Sequence, residues 1–230
     1  MTRTPVLVSW SGGKDCAWAL HRLRWSEGFE VIGLLTTLTE GYERVAMHGI
    51  RHDVLLAQAE AARLPVIESW IPSKADNATY EAAFGAALAQ AESRWPGLRH
   101  IAFGDLFLAD VRGYRDALLS KLGWTGAYPL WDSDTATLAQ EMQSGGLRAR
   151  LCCVDGQQLD RRFAGRAWDA DLLAGLPPGV DPCGENGEFH TLVHAGPMFA
   201  HELVLEPGEV VERDGRFIFA DFETGTGRQG

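Results

Sequence analysis

The sequence predicts an α/β protein with an open, mostly parallel five-stranded sheet, helices on both faces and a smaller C-terminal α+β lobe. Up to about residue 146, short apolar runs of strand length alternate with segments whose apolar residues recur at helical spacing. Strands that alternate with helices are typical of parallel sheets covered on both faces. Beyond residue 147 short strands dominate, which predicts a nucleotide-binding domain at 1–146 and a lobe at 147–230 packed on it.

Five apolar runs are the predicted strands of the sheet, and each is bounded by glycine, proline or polar residues. These runs are residues 5–10, 31–37, 66–70, 100–103 and 127–131. Pro129 lies in the last run and has no N–H to donate to a neighbouring strand. This proline therefore predicts an edge position for that strand.

Five segments have apolar residues at the spacing of one helix face. The predicted inner faces are Cys16/Ala19/Leu20/Leu23, Ile50/Val54/Ala57/Ala61/Leu64, Tyr80/Phe84/Leu88/Ala91/Trp95, Val111/Tyr114/Leu118/Leu122 and Leu138/Met142. Pro65 should end the second helix, and Asp76 or Asn77 should cap the third. Gly145 and the glycine after it should close the last helix.

The C-terminal lobe has weaker but readable signals. A strand is predicted at 147–154 and a short helix at 168–176. Residues 201–222 have the pattern of two or three short antiparallel strands. Asp214-Gly215 is a typical hairpin turn between them.

The loop Ser11-Gly12-Gly13-Lys14-Asp15 lies between the first predicted strand and the first helix. Glycines let a polyanion approach the backbone N–H groups closely, and the helix dipole favours negative charge there. Lys14 can add a positive charge, and Asp15 can hold Mg²⁺ against phosphates. The loop therefore predicts a site for a nucleotide triphosphate or its pyrophosphate. The alternative is a glycine turn with an incidental Lys-Asp pair.

The glycine loop is not a Walker A motif, because Val8 and Asp15 occupy the positions where that motif needs glycine and Ser or Thr. In parallel sheets, ligands bind beyond the carboxyl ends of the strands. That rule brings Thr36, Thr37 and the pair Gly104-Asp105 to the same edge as the loop. For Asp105, a helix cap without a ligand is the alternative.

A second polar loop carries two carboxylates, an amide and an imidazole within six positions, at Glu185, Asn186, Glu188 and His190. Carboxylates at this density suit an amine, ammonium or Mg²⁺ bridging to phosphate. An exposed acidic turn is the alternative reading, with the glycines there for positive φ. His190 could equally be a hydrogen-bonded core residue.

Charge and cysteine usage exclude several classes of protein. The formal net charge is −10 and no basic cluster occurs, which disfavours nucleic acid as a partner. The four cysteines form no Cys-x-x-Cys pair, which argues against a zinc site or a disulfide framework. The chain starts directly on its first strand and has no apolar run of membrane-spanning length, so we expect a cytoplasmic protein without a signal peptide.

Four motifs occur together and in order: Ser11–Asp15, Gly104-Asp105, Tyr128–Trp131 and the run Gly184-Glu185-Asn186-Gly187-Glu188-Phe189-His190-Thr191. This set resembles the diphthine–ammonia ligase family of ATP pyrophosphatases. Cys16 departs from the family's pyrophosphate loop, which usually has serine there. The resemblance implies an adenine-nucleotide α-hydrolase-like, Rossmann-like fold. It also implies amidation of a carboxylate by ammonia with cleavage of ATP into AMP and pyrophosphate.

Site residues are implied by the same resemblance. ATP would be bound by Ser9, Ser11, Gly12, Gly13, Lys14, Asp15, Cys16, Thr36, Thr37, Gly104 and Asp105. Mg²⁺ would be held by Asp15 through the phosphates. The acceptor and ammonia would be bound by Glu185, Asn186, Glu188 and His190, with Lys14, Asp15 and Glu188 as the catalytic residues.

Partners and competing functions stay open at the level of the sequence. The acceptor carboxylate is either diphthine on elongation factor 2 or a small molecule, and ammonia arrives free or from a partner. A homodimer is one assembly open to the chain. The competing functions are adenylation of a different small acceptor, and a regulator that binds ATP or AMP without turnover.

Overall fold

The computed structural model describes residues 3–225 and confirms the predicted fold class. A parallel sheet lies at the centre, in the order β4-β2-β1-β5-β6. Its strands are β1 (Thr4–Ser9), β2 (Phe29–Thr39), β4 (Val66–Ile71), β5 (His100–Ala102) and β6 (Thr125–Ala127). A two-residue strand, β3 (Arg44–Val45), runs antiparallel to the end of β2.

Helices cover both faces of this sheet, as the sequence predicts. They are α1 (Lys14–Trp25), α2 (His52–Ala62), α3 (Asn77–Arg94), α4 (Ala109–Lys121) and α5 (Thr135–Ser144). One buried cluster joins α1 and α2 to the sheet, for example through Leu20 and Val54. A second cluster, on the opposite face, contains Phe84 of α3 and Leu118 of α4.

The C-terminal lobe is a four-stranded antiparallel sheet in the order β8-β7-β10-β9. Its elements are β7 (Arg148–Asp155), a 3-10 turn (Arg161–Phe163), α6 (Ala170–Ala174), β8 (Phe189–Ala195), β9 (Leu205–Arg213) and β10 (Phe217–Thr224). The predicted turn at Asp214-Gly215 is confirmed, with φ of 53° and 61°. Residues 1–2 and 226–230 of the two predicted domains lie outside the described residues.

The two parts of the chain share one hydrophobic core. Trp168 and Phe189 of the C-terminal lobe belong to the same buried cluster as Leu20 of α1. The backbone N–H of Val193 donates to the carbonyl of Gly12 at 2.9 Å. This contact places β8 directly against the loop between β1 and α1.

Local signals at the helix ends are mostly as predicted. The Asp76 carboxylate caps α3 by accepting from Thr79 N at 2.8 Å, and α5 ends at Gly145. In contrast, α2 ends before Pro65, because Arg63 takes a left-handed conformation with φ of 56°. The proline therefore follows the helix end without causing it.

The fifth predicted strand lies at the edge of the sheet, as β6, but its bounds and the predicted inner face of α4 are wrong. The run 127–131 is a strand only at Ala127, and the next residues form a turn in which Trp131 N donates to Tyr128 O at 3.1 Å. Pro129 has no N–H to extend the ladder beyond that point. The predicted inner face of α4 is also wrong: its buried residues are Leu118 and Leu119, whereas Tyr114 and Leu122, the residue after the helix, are 39% and 38% exposed.

Candidate functional site

The glycine loop is packed so tightly that only glycine fits at its centre. Gly12 has φ of +79°, and a Cβ there would lie 2.7 Å from Gln58 Oε1. A Cβ on Gly13 would lie 2.9 Å from His48 Nε2. Gln58 Nε2 donates to the carbonyls of Gly12 and Val193, at 3.0 and 2.7 Å, and so ties the loop to β8. The loop backbone is therefore held in one conformation before any ligand binds.

Lys14 is the most buried charged residue of the loop, with 2% of its side chain exposed. Its ammonium donates to both carboxylate oxygens of Asp15, at 2.9 and 2.8 Å, and to the carbonyl of Cys183. Burial alone would lower the pKa of Lys14, but Asp15, Cys183 and Glu185 outweigh it and raise that pKa. Lys14 is therefore a fixed positive charge whose partners come from both parts of the chain.

The first turn of α1 is also bonded to the C-terminal lobe through its backbone. Lys14 N donates to the hydroxyl of Thr191 at 3.0 Å. The Cys16 thiol donates to the carbonyl of Gly13 at 3.1 Å, and the Ser11 hydroxyl lies 3.4 Å from the same sulfur. Burial raises the pKa of Cys16, so the thiol is a neutral group bonded within the loop.

Carboxylates gather around Lys14. Burial raises the pKa of Asp15 despite Lys14, and Asp181 and Asp105 add to that shift. Burial also raises the pKa of Glu185 to about 7, and Asp15 and Asp105 add to it in the same direction. Glu185 Oε1 accepts from Leu106 N at 2.8 Å, which joins the second polar loop to the segment after β5.

The raised pKa of Glu185 predicts a loss of stability as the pH rises. Between about pH 4.5 and 7 the folded state holds a proton that the unfolded state has released, so the free energy of unfolding falls across this window and levels off above it. Glutamine cannot ionise and keeps an oxygen for the Leu106 N–H. We therefore expect Glu185→Gln to raise the melting temperature at pH 8 and to change it little at pH 4.5.

Thermal unfolding of both proteins from pH 4 to 8 measures this difference. Glu60→Gln, on the exposed face of α2, is the matched control and should follow the wild type at every pH. A Glu185→Gln curve parallel to that of the wild type would contradict the assignment.

Gly104 and Asp105 lie beside the first turn of α1, as predicted for residues at the end of a parallel strand. A Cβ on Gly104 would come within 2.7 Å of the backbone of Asp15 and Cys16. Asp105 forms an ion pair with Arg115 Nε at 2.8 Å, while burial raises the pKa of this carboxylate. Gly104 is thus required for the close approach of the segment after β5 to the glycine loop.

Ser9, Thr36 and Thr37 lie on the strands themselves. Ser9 is the last residue of β1 and pairs with Leu35 of β2. Thr36 is 1% exposed, and its hydroxyl has no hydrogen-bond partner within residues 3–225. The carbonyl of Thr37 accepts from Ala46 N at 3.0 Å, so Thr37 holds the segment after β3.

The predicted acceptor residues do not point to one place. Asn186 is exposed, and its amide donates to Glu188 Oε1 at 3.1 Å. Glu188 is 2% exposed; its Oε1 also accepts from Asp181 N at 2.9 Å, whereas its Oε2 is buried without a partner in the described part of the chain. His190 stacks on His48, with ring centroids 4.5 Å apart.

A cavity of about 1070 Å³ opens between the segment around β3 and the sheet of the C-terminal lobe. His190 and Gly49 line its inner end. Arg44 and Arg51 of the first part pair with Asp221 of β10, at 2.7 and 2.5 Å, across its wall. The cavity therefore reaches His190, whose ring lies against His48.

Three residues contact the glycine loop although the sequence analysis did not assign them to the site: His48, Gln58 and Thr191. Gln58 is a polar residue on the buried face of α2, four positions after Val54, and this was a readable signal. His48 and Thr191 reach the loop only through tertiary packing. Contacts between residues so far apart in the chain leave no pattern in the local sequence.

Two other kinds of feature are absent from the part of the chain that the structure describes. Residues 3–225 contain no cluster of three or more Asp, Glu, His or Cys side chains placed to hold a metal ion. Mg²⁺ at Asp15 would therefore need phosphate oxygens among its ligands. Over the same residues, no helix combines the length and the apolar character that crossing a bilayer requires.

Comparison with known proteins identifies the family. The diphthamide synthase N-terminal domain matches residues 4–111, and the diphthamide synthase C-terminal domain matches residues 134–217. The diphthine–ammonia ligase of Schizosaccharomyces pombe is 28% identical over an alignment of 225 residues, and the match covers 90% of this chain. The chain spans 37% of the length of that relative. The chain belongs to the diphthine–ammonia ligase (diphthamide synthase) family.

Proposed function

We propose that the chain is an ATP-dependent ligase that adenylates a carboxylate and joins it to ammonia. The observation that carries the proposal is the contact between the two motifs, in which Thr191 and Cys183 bind the backbone and side chain of Lys14. A loop built for phosphates thus adjoins a loop rich in carboxylates. The name of the S. pombe relative supports ammonia as the nucleophile.

The proposed chemistry runs in two steps. A carboxylate oxygen attacks the α-phosphorus of ATP, and the bond to the β-phosphate breaks to release pyrophosphate. Ammonia then attacks the carbonyl carbon, loses a proton and displaces AMP. The carboxylate must be activated because ammonia cannot displace oxide from it, whereas AMP is a good leaving group from the acyl adenylate.

The glycine loop serves the first step in this proposal. Its backbone N–H groups and the Lys14 ammonium stabilise the charge that develops on the departing pyrophosphate. Asp15 is the residue that would hold Mg²⁺; its carboxylate is 28% exposed, but both oxygens accept from Lys14, so the metal would replace one of these contacts. When bound, Mg²⁺ neutralises phosphate charge. Thr36, whose buried hydroxyl is unpartnered in the described chain, and Thr37 would lie near the nucleoside, and Gly104-Asp105 near the α-phosphate or ribose.

The second polar loop serves the second step. Ammonium must lose a proton before it attacks, and the unpartnered Oε2 of Glu188 supplies a buried acceptor. Glu185, half-buried among Lys14, Asp15 and Asp105, would hold the ammonium. Asn186 would contact the acceptor carboxylate from its exposed position, whereas His190, whose ring lies against His48, is not assigned to the acceptor. The acceptor is diphthine on elongation factor 2 or a small molecule, which would place the reaction in the cytoplasm.

Binding of Mg-ATP is the first test of this proposal. A ligand at one hundred times its dissociation constant adds about 2.7 kcal/mol to the free energy of unfolding. For a chain of this size we expect a rise of roughly 5–11 °C in melting temperature. GTP should raise it less. No shift at several millimolar ATP with Mg²⁺ would contradict nucleotide binding.

Product analysis then separates the ligase from its competitors. We expect AMP and pyrophosphate in equal amounts once an acceptor carboxylate and ammonia are present. Accumulation of ADP and orthophosphate would exclude adenylation. Binding of ATP without any turnover, over the full range of acceptors, would favour the nucleotide-binding regulator.

A further inference from the structure

His48 lies between His190, which lines the cavity, and Gly13 of the glycine loop. It belongs to the turn after β3, and its ring stacks on His190 with centroids 4.5 Å apart and planes inclined by 33°. On the other side, its Nε2 lies 2.9 Å from the position that a Cβ of Gly13 would take. The glycine therefore makes room for an imidazole against the backbone of the loop.

The two ring nitrogens of His48 have different surroundings. Nδ1 is buried and makes no hydrogen bond within residues 3–225, whereas Nε2 is the nitrogen that faces the glycine loop. Burial, His190 and Lys14 together hold the pKa of His48 well below its usual value, so the ring is neutral and carries one N–H donor. A buried polar atom without a partner is costly, so Nδ1 is best left without a proton and the N–H placed on Nε2, toward the loop.

The turn that carries His48 is held by contacts with Arg44 of β3 and with β10. Arg44 donates to the carbonyl of Gly49 at 2.8 Å and to Asp221 of β10 at 2.7 Å. Gly49, with φ of +70°, packs so closely on Phe219 that a Cβ would lie 2.6 Å from that ring. His48 is therefore held in place by both parts of the chain, as expected for a residue that must meet a ligand in one orientation.

We propose that His48 binds the phosphates of the nucleotide, by donating a hydrogen bond from Nε2, the ring nitrogen beside Gly13, to an anion held at the loop Ser11–Asp15. His190 acts as a positioning residue that keeps the His48 ring against the loop. This inference rests on the proposed function. A neutral donor suits this place, because a second cation beside the buried ammonium of Lys14 would be repelled by it.

Binding of inorganic pyrophosphate and of Mg-ATP, measured by titration calorimetry, tests this assignment. His48→Phe keeps a ring for His190 but has no N–H, and we expect it to bind pyrophosphate about 10- to 100-fold more weakly, as for a lost hydrogen bond to a charged group. His48→Gln restores a donor and should bind within about threefold of the wild type. His21→Phe is the matched control, because His21 stacks on Trp18 of α1 away from the loop, and it should bind as the wild type.

The outcomes separate the two proposals. Equal pyrophosphate binding by wild type and His48→Phe would overturn the role of His48 and leave the proposed function standing. Equal weakening by the Phe and Gln variants would also overturn it, since the N–H would then not matter. Absence of binding to the wild type would overturn both.

A second measurement uses only the wild-type protein and therefore does not depend on whether a His48 variant folds. In the wild-type protein, saturating pyrophosphate should shift the ring nitrogen resonances of His48 in a histidine-labelled NMR spectrum and leave those of His21 in place. Unchanged His48 resonances with bound pyrophosphate would overturn the assignment.

Discussion

Replacing Lys14 by alanine is expected to lower the rate of ATP–pyrophosphate exchange by about 10²–10³, the range for removing one preorganised charge stabiliser. The Lys14 side chain is 2% exposed and its ammonium is bonded to Asp15 and the Cys183 carbonyl, so its charge acts in a region from which water is largely excluded. Charge that develops on the departing pyrophosphate would lose this partner. The exchange of labelled pyrophosphate into ATP reports adenylation alone, because it needs no ammonia.

Stability must be separated from catalysis in that experiment. Alanine leaves the Asp15 carboxylate and the Cys183 carbonyl without their shared cation, and a broken buried ion pair destabilises the fold. Lys14→Met fills the same volume without the charge and should show the same loss of exchange. Lys121→Ala is the matched control, since Lys121 is 69% exposed on α4. Full exchange activity in a folded Lys14→Met protein would show that Lys14 is only a structural link between the two parts of the chain.

The fold was predictable because the spacing of apolar residues shows which face of each strand or helix is buried. Five apolar runs separated by helical faces became a parallel sheet with helices on both sides. The prediction failed at 127–131, where an apolar run is a turn: Leu130 is fully buried without belonging to a strand. Apolar runs indicate that a segment enters the core, and they do not by themselves distinguish a strand from a buried turn.

The site was only partly predictable, because its decisive contacts join distant residues. Gly104 and the glycine loop could be placed together, since the ends of parallel strands meet at one edge. The bond from Lys14 to the Cys183 carbonyl, 169 positions away, depends on how the C-terminal lobe packs. The same packing brings Thr191 to the backbone N–H of Lys14. The motifs therefore predicted which residues belong to the site. The hydrogen-bond partners of those residues could be identified only from the structure.

Glu188→Gln should separate the two steps of the proposed reaction. Glu188 Oε1 accepts from the Asp181 N–H at 2.9 Å, and glutamine retains an oxygen for that bond. An amide NH2 group replaces the buried Oε2 and cannot accept a proton from ammonium. We expect ATP affinity within about twofold of the wild type, because the change removes no contact of the glycine loop. Ligation should fall by roughly 10²–10⁴, the range for a lost general base.

The measurement pairs amide formation with ATP–pyrophosphate exchange on the same protein. Loss of amide formation with retained exchange is the expected signature, since ammonia acts only after adenylation. Glu185→Gln is the matched comparison, because Glu185 lies on the same loop and bonds to Leu106 N through Oε1. If Glu185→Gln loses ligation and Glu188→Gln retains it, Glu185 is the proton acceptor, and its pKa of about 7 would suit that task. If Glu188→Gln abolishes ATP binding while the fold stays intact, the Gly184–Thr191 loop belongs to the nucleotide site, and the assignment of this loop to the acceptor is wrong.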